Sequence, residues 1–413
     1  MNTNWPSKKL KDVASVFSGY AFKSSDMNKS SGIPLLKIKN INGKKVSKVC
    51  ETFLDPATYK KNYDRFLLQK DDFLVAMTGQ GSVGRIGKMR SYEDGFLVNQ
   101  RVGIVRVDSK IADPEFVYQS LATDDTEGMY FSLAMGAGQP NLSPKDIGSA
   151  NIPYPPLPIQ QKIAGILSAY DDLIENNLKR IKLLEELAQI TYEEWFVRLR
   201  FPGHESTPIS SETKLPEGWE IKKLGDSCSL TMGQSPKSEF YNFESKGLPF
   251  HQGVKDFGTR FPSNACWSTA GSRTAKEGDI LFSVRAPVGR LNISLEKIIL
   301  GRGLAAIGHN QNCQAFLYCQ LKNKFFEENM MGGGAIFNSV TKNDMIRIEL
   351  IAPDNKTLQQ FEEIGASIAA EVKCLHSQNV RLREARDILL PRLMTGMIDV
   401  EQYDPTQLLQ EVA

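Results

Sequence analysis

Two long segments show a regular spacing of apolar side chains along the chain of 413 residues. Steps of four and three residues place these side chains on one face of a helix, and such a seam is typical of a coiled coil. The first seam runs through Ile159, Ile163, Ile166, Tyr170, Leu173, Asn177, Arg180, Leu184, Leu187 and Thr191. The second runs through Ile368, Val372, Leu375, Asn379, Leu382, Arg386 and Leu389. We therefore predict two helices, near residues 159–196 and 358–390.

The ends of both segments carry the signals of helix boundaries. Pro158 suits a first helical turn, Thr357-Leu-Gln-Gln360 fits a capping box, and Pro391 is expected to end the second helix. At ~1.5 Å per residue the helices are ~57 and ~50 Å long. Neither can bury its apolar stripe alone, so we predict an antiparallel pair. The alternative is that each helix lies on its own globular domain, but the similar lengths favour the pair.

The segments outside the helices contain short apolar runs bounded by Gly, Asp or Asn, which predict β-strands. These runs are Leu35–Ile38, Phe73–Met77, Val102–Val107, Ile280–Val284 and Leu304–Ile307. Residues 201–218 are rich in Pro, Gly and polar residues and are interpreted as a linker. Each half of the chain is therefore a mixed domain followed by a long helix.

The second half of the chain repeats short motifs of the first half in the same order. The matched stretches are Trp5–Asp12 with Trp219–Asp226, Gly32–Pro34 with Gly247–Pro249, Asp72–Leu74 with Asp279–Leu281, Val83–Arg85 with Val288–Arg290, Phe116–Tyr118 with Phe316–Tyr318, Asp146–Ile147 with Asp344–Met345, and Gln160–Gln161 with Gln359–Gln360. A common order of matches indicates an internal duplication.

The pattern and the duplication together predict an α+β fold with two mixed α/β domains in tandem pseudo-symmetric repeats, separated by a long antiparallel two-helix coiled coil. The expected boundaries are 1–157 for the first domain, 158–200 for the central helix, 201–355 for the linker and second domain, and 356–413 for the distal helix and tail.

Composition narrows the possible functions. The sequence contains no run of ~18 apolar residues, so we expect no membrane span. The first residues lack the pattern of a secretory signal. The six cysteines form no Cys-x-x-Cys pair and the four histidines are scattered, so we expect no metal site, and a cytoplasmic location. The net charge is only +2, but residues 1–157 carry +5 and residues 201–355 carry +1. Any strongly basic surface on the second domain must therefore be a local patch.

Several stretches carry a family resemblance. They are Pro155–Ile163, Tyr170–Asn177, Glu194–Glu205, Leu389–Val400, Met77–Arg85 and Arg285–Arg290. Together they resemble the specificity subunits of Type I restriction–modification systems, although the second helix lacks the Trp195-Phe196 ending of the first. The resemblance implies two target recognition domains, each reading one half of a split site in double-stranded DNA. It also implies that the helices dock two methyltransferase subunits, that restriction/translocase subunits join for cleavage, and that the chain has no catalytic site.

Three motifs typical of enzymes need a structural context that the sequence does not supply. Gly79-Gln-Gly-Ser-Val-Gly84 fits a dinucleotide fingerprint, but no amphipathic helix follows it. Asn151-Ile-Pro-Tyr154 is similar to an adenine methyltransferase motif but lacks its second residue. Asp354 with Glu371 and Lys373 is similar to a nuclease motif, but the last two lie within a predicted helix. We therefore expect no cofactor. An enzyme and a scaffold that binds only proteins remain the alternatives.

Candidate DNA-reading residues follow from the side chains that recognise base edges and phosphates, chiefly Arg, Lys, Asn and Gln. In the first domain they are Lys37, Lys39, Asn40, Gln80, Arg85, Gln100, Arg101, Gln139 and Asn141. In the second they are His251, Gln252, Lys255, Arg285, Arg290, Arg302 and Asn338. Lys37 and Lys39 are expected on one face of a strand with Asn40 at its end. Asn177 and Asn379 are expected to fix the register of the helices instead.

Overall fold

The computed structural model describes residues 5–135, 140–325, 330–331, 335–336 and 339–401. The chain divides into two compact units. Unit 1 comprises Met1–Asn177 and Gln378–Ala413, and unit 2 comprises Leu178–Ser377. Each unit therefore contains one repeat and a part of both long helices.

The described residues of unit 1 form three sheets and three short α-helices. Its strands are β1 (Ser7–Lys9), β2 (Ala14–Ser18), β3 (Met27–Asn28), β4 (Ile33–Leu36), β5 (Ile41–Asn42), β6 (Lys45–Val46), β7 (Phe53–Leu54), β8 (Phe73–Ala76), β9 (Ile86–Lys88), β10 (Leu97–Val98), β11 (Val102–Val107) and β12 (Asn151–Pro153). The sheet orders are β2-β11-β8-β9-β6-β5, β10-β4-β7-β3 and β1-β12. The helices are α1 (Pro114–Leu121), α2 (Asp124–Ala134) and α3 (Pro144–Gly148). Strand β8 is buried along its whole length, which explains its continuous apolar run.

Unit 2 has the same kinds of elements. Its strands are β13 (Glu220–Lys223), β14 (Cys228–Met232), β15 (Tyr241–Asn242), β16 (Leu248–His251), β17 (Trp267–Ser268), β18 (Thr274–Ala275), β19 (Ile280–Ser283), β20 (Leu291–Ile293), β21 (Ile298–Leu300), β22 (Leu304–His309), β23 (Met330–Met331), β24 (Ala335–Ile336) and β25 (Glu349–Ala352). The sheet orders are β14-β22-β19-β20, β15-β17-β16-β21-β18, β13-β25 and β23-β24. The short helices are α5 (Leu224–Ser227), α6 (Gln314–Lys324) and α7 (Lys342–Ile346).

The two repeats share local details that the sequence matches only suggest. Helix α3 begins with a capping box between Ser143 and Asp146, and α7 begins with the same box between Thr341 and Asp344. The strand pairs β1-β12 and β13-β25 are equivalent antiparallel pairs. The predicted α+β class with two mixed domains in tandem repeats is confirmed.

Two long helices, α4 (Leu157–Tyr192) and α8 (Asn355–Met394), run through both units. In unit 1 they pack antiparallel, because Asp171 pairs with Arg386 while Asn177, further along α4, contacts Asn379. In unit 2 they are antiparallel as well, because Arg180 pairs with Glu371 and residues around Tyr192 pack on Phe361. Both pairings agree with the predicted two-helix coiled coil.

The two seam asparagines lie together inside unit 1. Asn177 is 5% exposed and Asn379 is 1% exposed. The Asn177 amide donates to the Asn379 side-chain oxygen over 3.0 Å, and the Asn379 amide reaches the Ile174 carbonyl over 3.4 Å. A shift of one turn would leave these buried amides without partners. The contact therefore fixes the register of the helices.

The seam predicted on the first helix has the wrong phase in part. Leu173 and Leu187 are each 52% exposed, whereas their neighbours Ile174 and Ala188 are buried. Arg180 is exposed as well. A strict seven-residue repeat drifts around a straight helix of 3.6 residues per turn. Residues at neighbouring positions then replace those of the predicted seam in the contact between the helices. The second predicted seam is buried or half-buried at every position.

The predicted start and end of the second helix are also wrong. Helix α8 begins at Asn355, and the carboxylate of Asp354 accepts the N–H groups of Lys356 and Thr357 over 3.0 Å each. Thr357 is thus inside the first turn rather than at its cap. The helix continues through Pro391 to Met394, because burial of Leu393 and Met394 offsets the hydrogen bond that proline cannot donate.

Candidate nucleic-acid interface

A concave surface in unit 1 brings together six of the residues predicted to read DNA. It is lined by Lys37, Lys39, Gln80, Arg85, Gln100 and Arg101, together with Phe22, Ser24, Met27, Ile38, Ser82 and Asn99. We call it the first-repeat groove. The six predicted side chains come from three separate loops, which follow β4, β8 and β10. Such convergence of basic and amide side chains suits the recognition of phosphates and base edges.

The segment after β4 differs from the prediction. The strand ends at Leu36, and residues 38–40 form a short 3-10 helix. Lys37 and Lys39 therefore do not share a strand face, although both line the groove. Asn40 is only 3% exposed, and its amide donates to the carbonyls of Ser47 and Val49. We assign Asn40 a structural role in holding this turn.

The groove is electropositive. Four of its residues are cationic, and none of the twelve described residues that line it is acidic. Lys39 forms an ion pair with Glu51 beside the groove, while the Lys37 ammonium donates to the Thr52 hydroxyl over 2.9 Å. Burial lowers the pKa of Lys37, and the positive charge of Lys39 adds to this effect. Two adjacent ammonium groups favour an anionic ligand such as a phosphate.

The glycine-rich turn that presents Gln80 and Arg85 connects β8 to β9, which are antiparallel neighbours. Gly79 and Gly84 have φ angles of +105° and +87°, which favour glycine. A Cβ on Gly84 would lie 2.8 Å from the Glu127 carbonyl of α2. The turn is thus a hairpin packed on a helix. A dinucleotide site needs a strand followed directly by a helix, whereas strand β9 follows this turn.

The remaining predicted residues of the first repeat have different placements. Asn141 is exposed and forms a backbone bridge with Thr78, next to the glycine-rich turn. It is not among the residues that line the groove. Gln139 lies outside the described residues, as does Asn338 of the second repeat.

Equivalent backbone hydrogen bonds show which residues of the second repeat correspond to those of the first-repeat groove. The Asn99 N–H donates to the Leu36 carbonyl, and the Gly301 N–H donates to the His251 carbonyl. Lys37 is therefore equivalent to Gln252, and Gln100 to Arg302. The Ala76 N–H donates to the Arg85 carbonyl, and the Ser283 N–H donates to the Arg290 carbonyl. The two arginines therefore occupy equivalent positions. Gln252, Lys255, Arg285, Arg290 and Arg302 are all exposed.

His251 is the exception in the second repeat, because it is fully buried. Its Nε2 lies 3.1 Å from the Asn264 side-chain oxygen, and its Nδ1 lies 3.5 Å from the Asp256 carboxylate. These contacts place the ring beneath the loop that carries Gln252 and Lys255. We assign His251, like Asn40, a structural role.

A largely buried charge network in unit 1 was not found from the sequence. Asp171 of α4 accepts hydrogen bonds from Arg90, Gln119 and Arg386 at 2.7, 2.9 and 2.6 Å. Glu115 pairs with Arg90 and with Lys88. The network joins the domain to both long helices. Its members are far apart in sequence and follow no motif, so only their three-dimensional proximity identifies them.

The other two enzyme-like motifs serve structural roles. Asn151–Pro153 forms strand β12, which pairs with β1. Asp354 caps α8, and Glu371 pairs with Arg180 on the facing helix. Among the described residues, no group of His, Cys, Asp or Glu side chains is arranged to hold a metal ion. None of the described helices is both long enough and apolar enough to span a membrane.

Comparison with known proteins decides the family. The model of the Type I restriction modification DNA specificity domain matches the chain twice, at residues 2–186 and 216–365. The chain belongs to this family. It is the DNA specificity subunit of a Type I restriction–modification system, with DNA and the other subunits of that system as partners. Enzymatic activity in such systems resides in the other subunits.

Individual relatives agree with this assignment. The chain is 26% identical to the Type I restriction enzyme MjaIX specificity subunit of Methanocaldococcus jannaschii, over 97% of this chain and 94% of the relative. It is 24% identical to the Type I restriction enzyme HindI specificity subunit of Haemophilus influenzae, over 80% and 87%. The crystal structure of the Type-I restriction-modification system S subunit from M. genitalium is similar in fold, with a TM-score of 0.61, 18% identity, and coverage of 95% and 96%.

Proposed function

We propose that each repeat reads one half of a bipartite DNA site. The first repeat would use the first-repeat groove, and the second would use the equivalent surface around Gln252, Arg290 and Arg302. The observation that carries the proposal is the groove itself, where six predicted residues converge and no described lining residue is acidic. Basic side chains would hold phosphates, and amides or guanidinium groups would contact base edges in the major groove.

Replacing Arg85 or Arg290 by alanine is expected to weaken recognition of one half-site each. The two arginines occupy equivalent turns, and loss of a guanidinium contact to guanine costs ~1–3 kcal/mol. Loss of a phosphate contact would instead lower the affinity for all DNA sequences and reduce the slope of log affinity against log salt concentration by about one. Competition binding by the complex with its methyltransferase, at several salt concentrations, distinguishes these results.

Arg381→Ala provides a matched control, because Arg381 is an exposed arginine on α8. It should bind DNA like the unchanged protein. If Arg85→Ala and Arg290→Ala also bind like the unchanged protein while remaining folded, neither arginine belongs to the DNA-reading surface.

We further propose that an exposed apolar face of α4 docks a methyltransferase subunit, that two such subunits bind, and that restriction/translocase subunits join the complex for cleavage. Leu183 and Leu187 of unit 2 are 64% and 52% exposed and lie one turn apart. Exposed apolar patches of this kind mark partner surfaces. Ile174 and Phe196 are buried and therefore do not belong to this face.

Because of this face, the isolated chain is expected to be poorly soluble or inactive without its methyltransferase. Lysine at Leu183 and Leu187 together should abolish co-purification of the methyltransferase, since both charges would be buried at the interface. Ile209→Lys is the control, because Ile209 lies in the linker and is 53% exposed. A monodisperse isolated chain that binds its target as tightly as the complex would contradict the proposal.

A further inference from the structure

The amide of Gln252 is held in one orientation by a neighbouring serine. The Ser235 hydroxyl donates to the Gln252 side-chain oxygen over 2.9 Å. The same hydroxyl oxygen accepts the backbone N–H of Arg302 over 3.2 Å. Ser235 therefore connects two of the residues predicted to read DNA, and it was not itself among the predicted residues.

The turn formed by residues 301–303 closes on the other side of Gln252. A Cβ on Gly301 would lie 2.6 Å from the Gln252 Cα and 3.0 Å from its side-chain oxygen. The Gly303 N–H donates to the Gln252 carbonyl over 3.1 Å. The side-chain oxygen thus faces the protein, on the side of Ser235 and Gly301. The two N–H groups of the amide remain as the polar groups that Gln252 can offer to a ligand.

This arrangement is specific to the second repeat. The Tyr20 N–H donates to the Val98 carbonyl, and the Gln234 N–H donates to the Leu300 carbonyl, so Ala21 is equivalent to Ser235. Alanine has no hydroxyl, and in the first repeat the N–H of Gln100 donates to the Tyr20 carbonyl instead. The equivalent triads are Ala21, Lys37 and Gln100 in the first repeat, and Ser235, Gln252 and Arg302 in the second.

A glutamine amide held with its oxygen toward the protein and its N–H groups toward the ligand does not match the edge of adenine. Recognition of adenine needs an oxygen that accepts from N6 and an N–H that donates to N7. Guanine presents two acceptors, O6 and N7, in the major groove, and arginine is the side chain most often found on them. Gln252 and Arg302 both present donors, so they match the edge of guanine.

We propose that Ser235 is a positioning residue that restricts Gln252 to donating, so that the second repeat selects guanine over adenine at one position of its half-site. The inference rests on the proposed function, because it requires the second repeat to meet duplex DNA at this surface.

The test maps modified bases in DNA from cells that carry the full chain and its partner methyltransferase. The unchanged chain should give a bipartite motif with a required guanine in one half-site. Ser235→Ala should reduce the preference for guanine over adenine at that position roughly 5- to 100-fold, the range of one well-placed base contact. The other half-site should stay unchanged. Ser235→Thr keeps the hydroxyl and should restore the preference.

Gln252→Glu provides an independent variant, because a carboxylate accepts where the amide donated. It should lose the guanine and leave the other half-site intact. Ser229→Ala is the matched control, because Ser229 is an exposed serine whose hydroxyl bonds to the Gly308 carbonyl. It should leave the motif unchanged.

The outcomes separate this inference from the function on which it rests. A bipartite motif that keeps its full guanine preference in Ser235→Ala, or that keeps guanine in Gln252→Glu, overturns the role of Ser235. So does loss of both half-sites in Ser235→Ala but not in Ser229→Ala, because a positioning residue acts on one half-site. Absence of any bipartite motif with the unchanged chain would instead contradict the proposed function.

Discussion

One heptad inserted into each long helix at facing positions is expected to move the two half-sites apart by about 3 base pairs. The contact of Asn177 with Asn379 identifies facing positions, so the insertions belong between Asn177 and Leu178 and between Gln378 and Asn379. Seven residues add ~10.5 Å of helix, and DNA rises ~3.4 Å per base pair. The distance that the helices span should therefore appear as spacing in the DNA site.

The same insertion rotates one half-site by ~100° about the duplex, at ~10.5 base pairs per turn. Twist of the coiled coil or deformation of the DNA must absorb this rotation, at a cost in affinity. Methylation-sensitive sequencing should show the same two half-sites with a longer gap. Insertion into α4 alone is the control, which should buckle the helix pair and give no modification. An active double-insertion protein with an unchanged gap would show that the helices do not set the spacing.

Asp171→Ala is expected to lower the free energy of unfolding of unit 1 by ~2–3 kcal/mol. The substitution removes the carboxylate that Arg90 and Arg386 share, although each guanidinium keeps a second carboxylate, Glu115 and Asp387 respectively. Loss of a charged hydrogen-bond partner from a largely buried site has this cost. That is a large share of the ~5–15 kcal/mol that stabilises a typical domain. Hydrogen exchange of residues 157–177, measured in the complex with the methyltransferase, should accelerate by roughly 30-fold or more.

Asp172→Ala is the matched control, because Asp172 is the neighbouring residue and is exposed. It should leave hydrogen exchange unchanged, and equal effects of the two variants would contradict the role of the network.

The network also predicts a loss of stability in acid. Burial raises the pKa of Glu115, but the charges of Arg90 and Lys88 outweigh burial and hold the pKa below its usual value. Its contribution is therefore present above about pH 4.3 and disappears as the pH falls through the lowered pKa.

The long helices were the most predictable part of the fold, since periodic apolar positions reveal an amphipathic helix directly. The strand Val102–Val107 was also predicted with its observed bounds. The prediction failed where tertiary contacts outweigh a local signal. Pro391 lies inside α8 because Leu393 and Met394 are buried beyond it, and Leu173 is exposed because its neighbour Ile174 occupies the contact.

Side-chain chemistry identified candidate residues in loops, but the sequence alone did not show which of these side chains are buried. Asn40 and His251 have side chains suited to DNA, yet both are buried and hydrogen-bonded inside their repeats. Ser235 was missed because serine carries no specific signal in one sequence. Its importance follows from its two hydrogen-bond partners, which are 17 and 67 residues away.

The central claim, that each repeat reads one half of a bipartite site, is tested most directly by exchanging one repeat. Residues 216–355 would be replaced by the corresponding segment of a relative with a different target, and modified bases would be mapped in cells that also carry the partner methyltransferase. A hybrid motif is expected, in which one half-site is unchanged, the other is that of the relative, and the gap between them is retained. Modification at an unchanged motif, or a change in both half-sites, would contradict it.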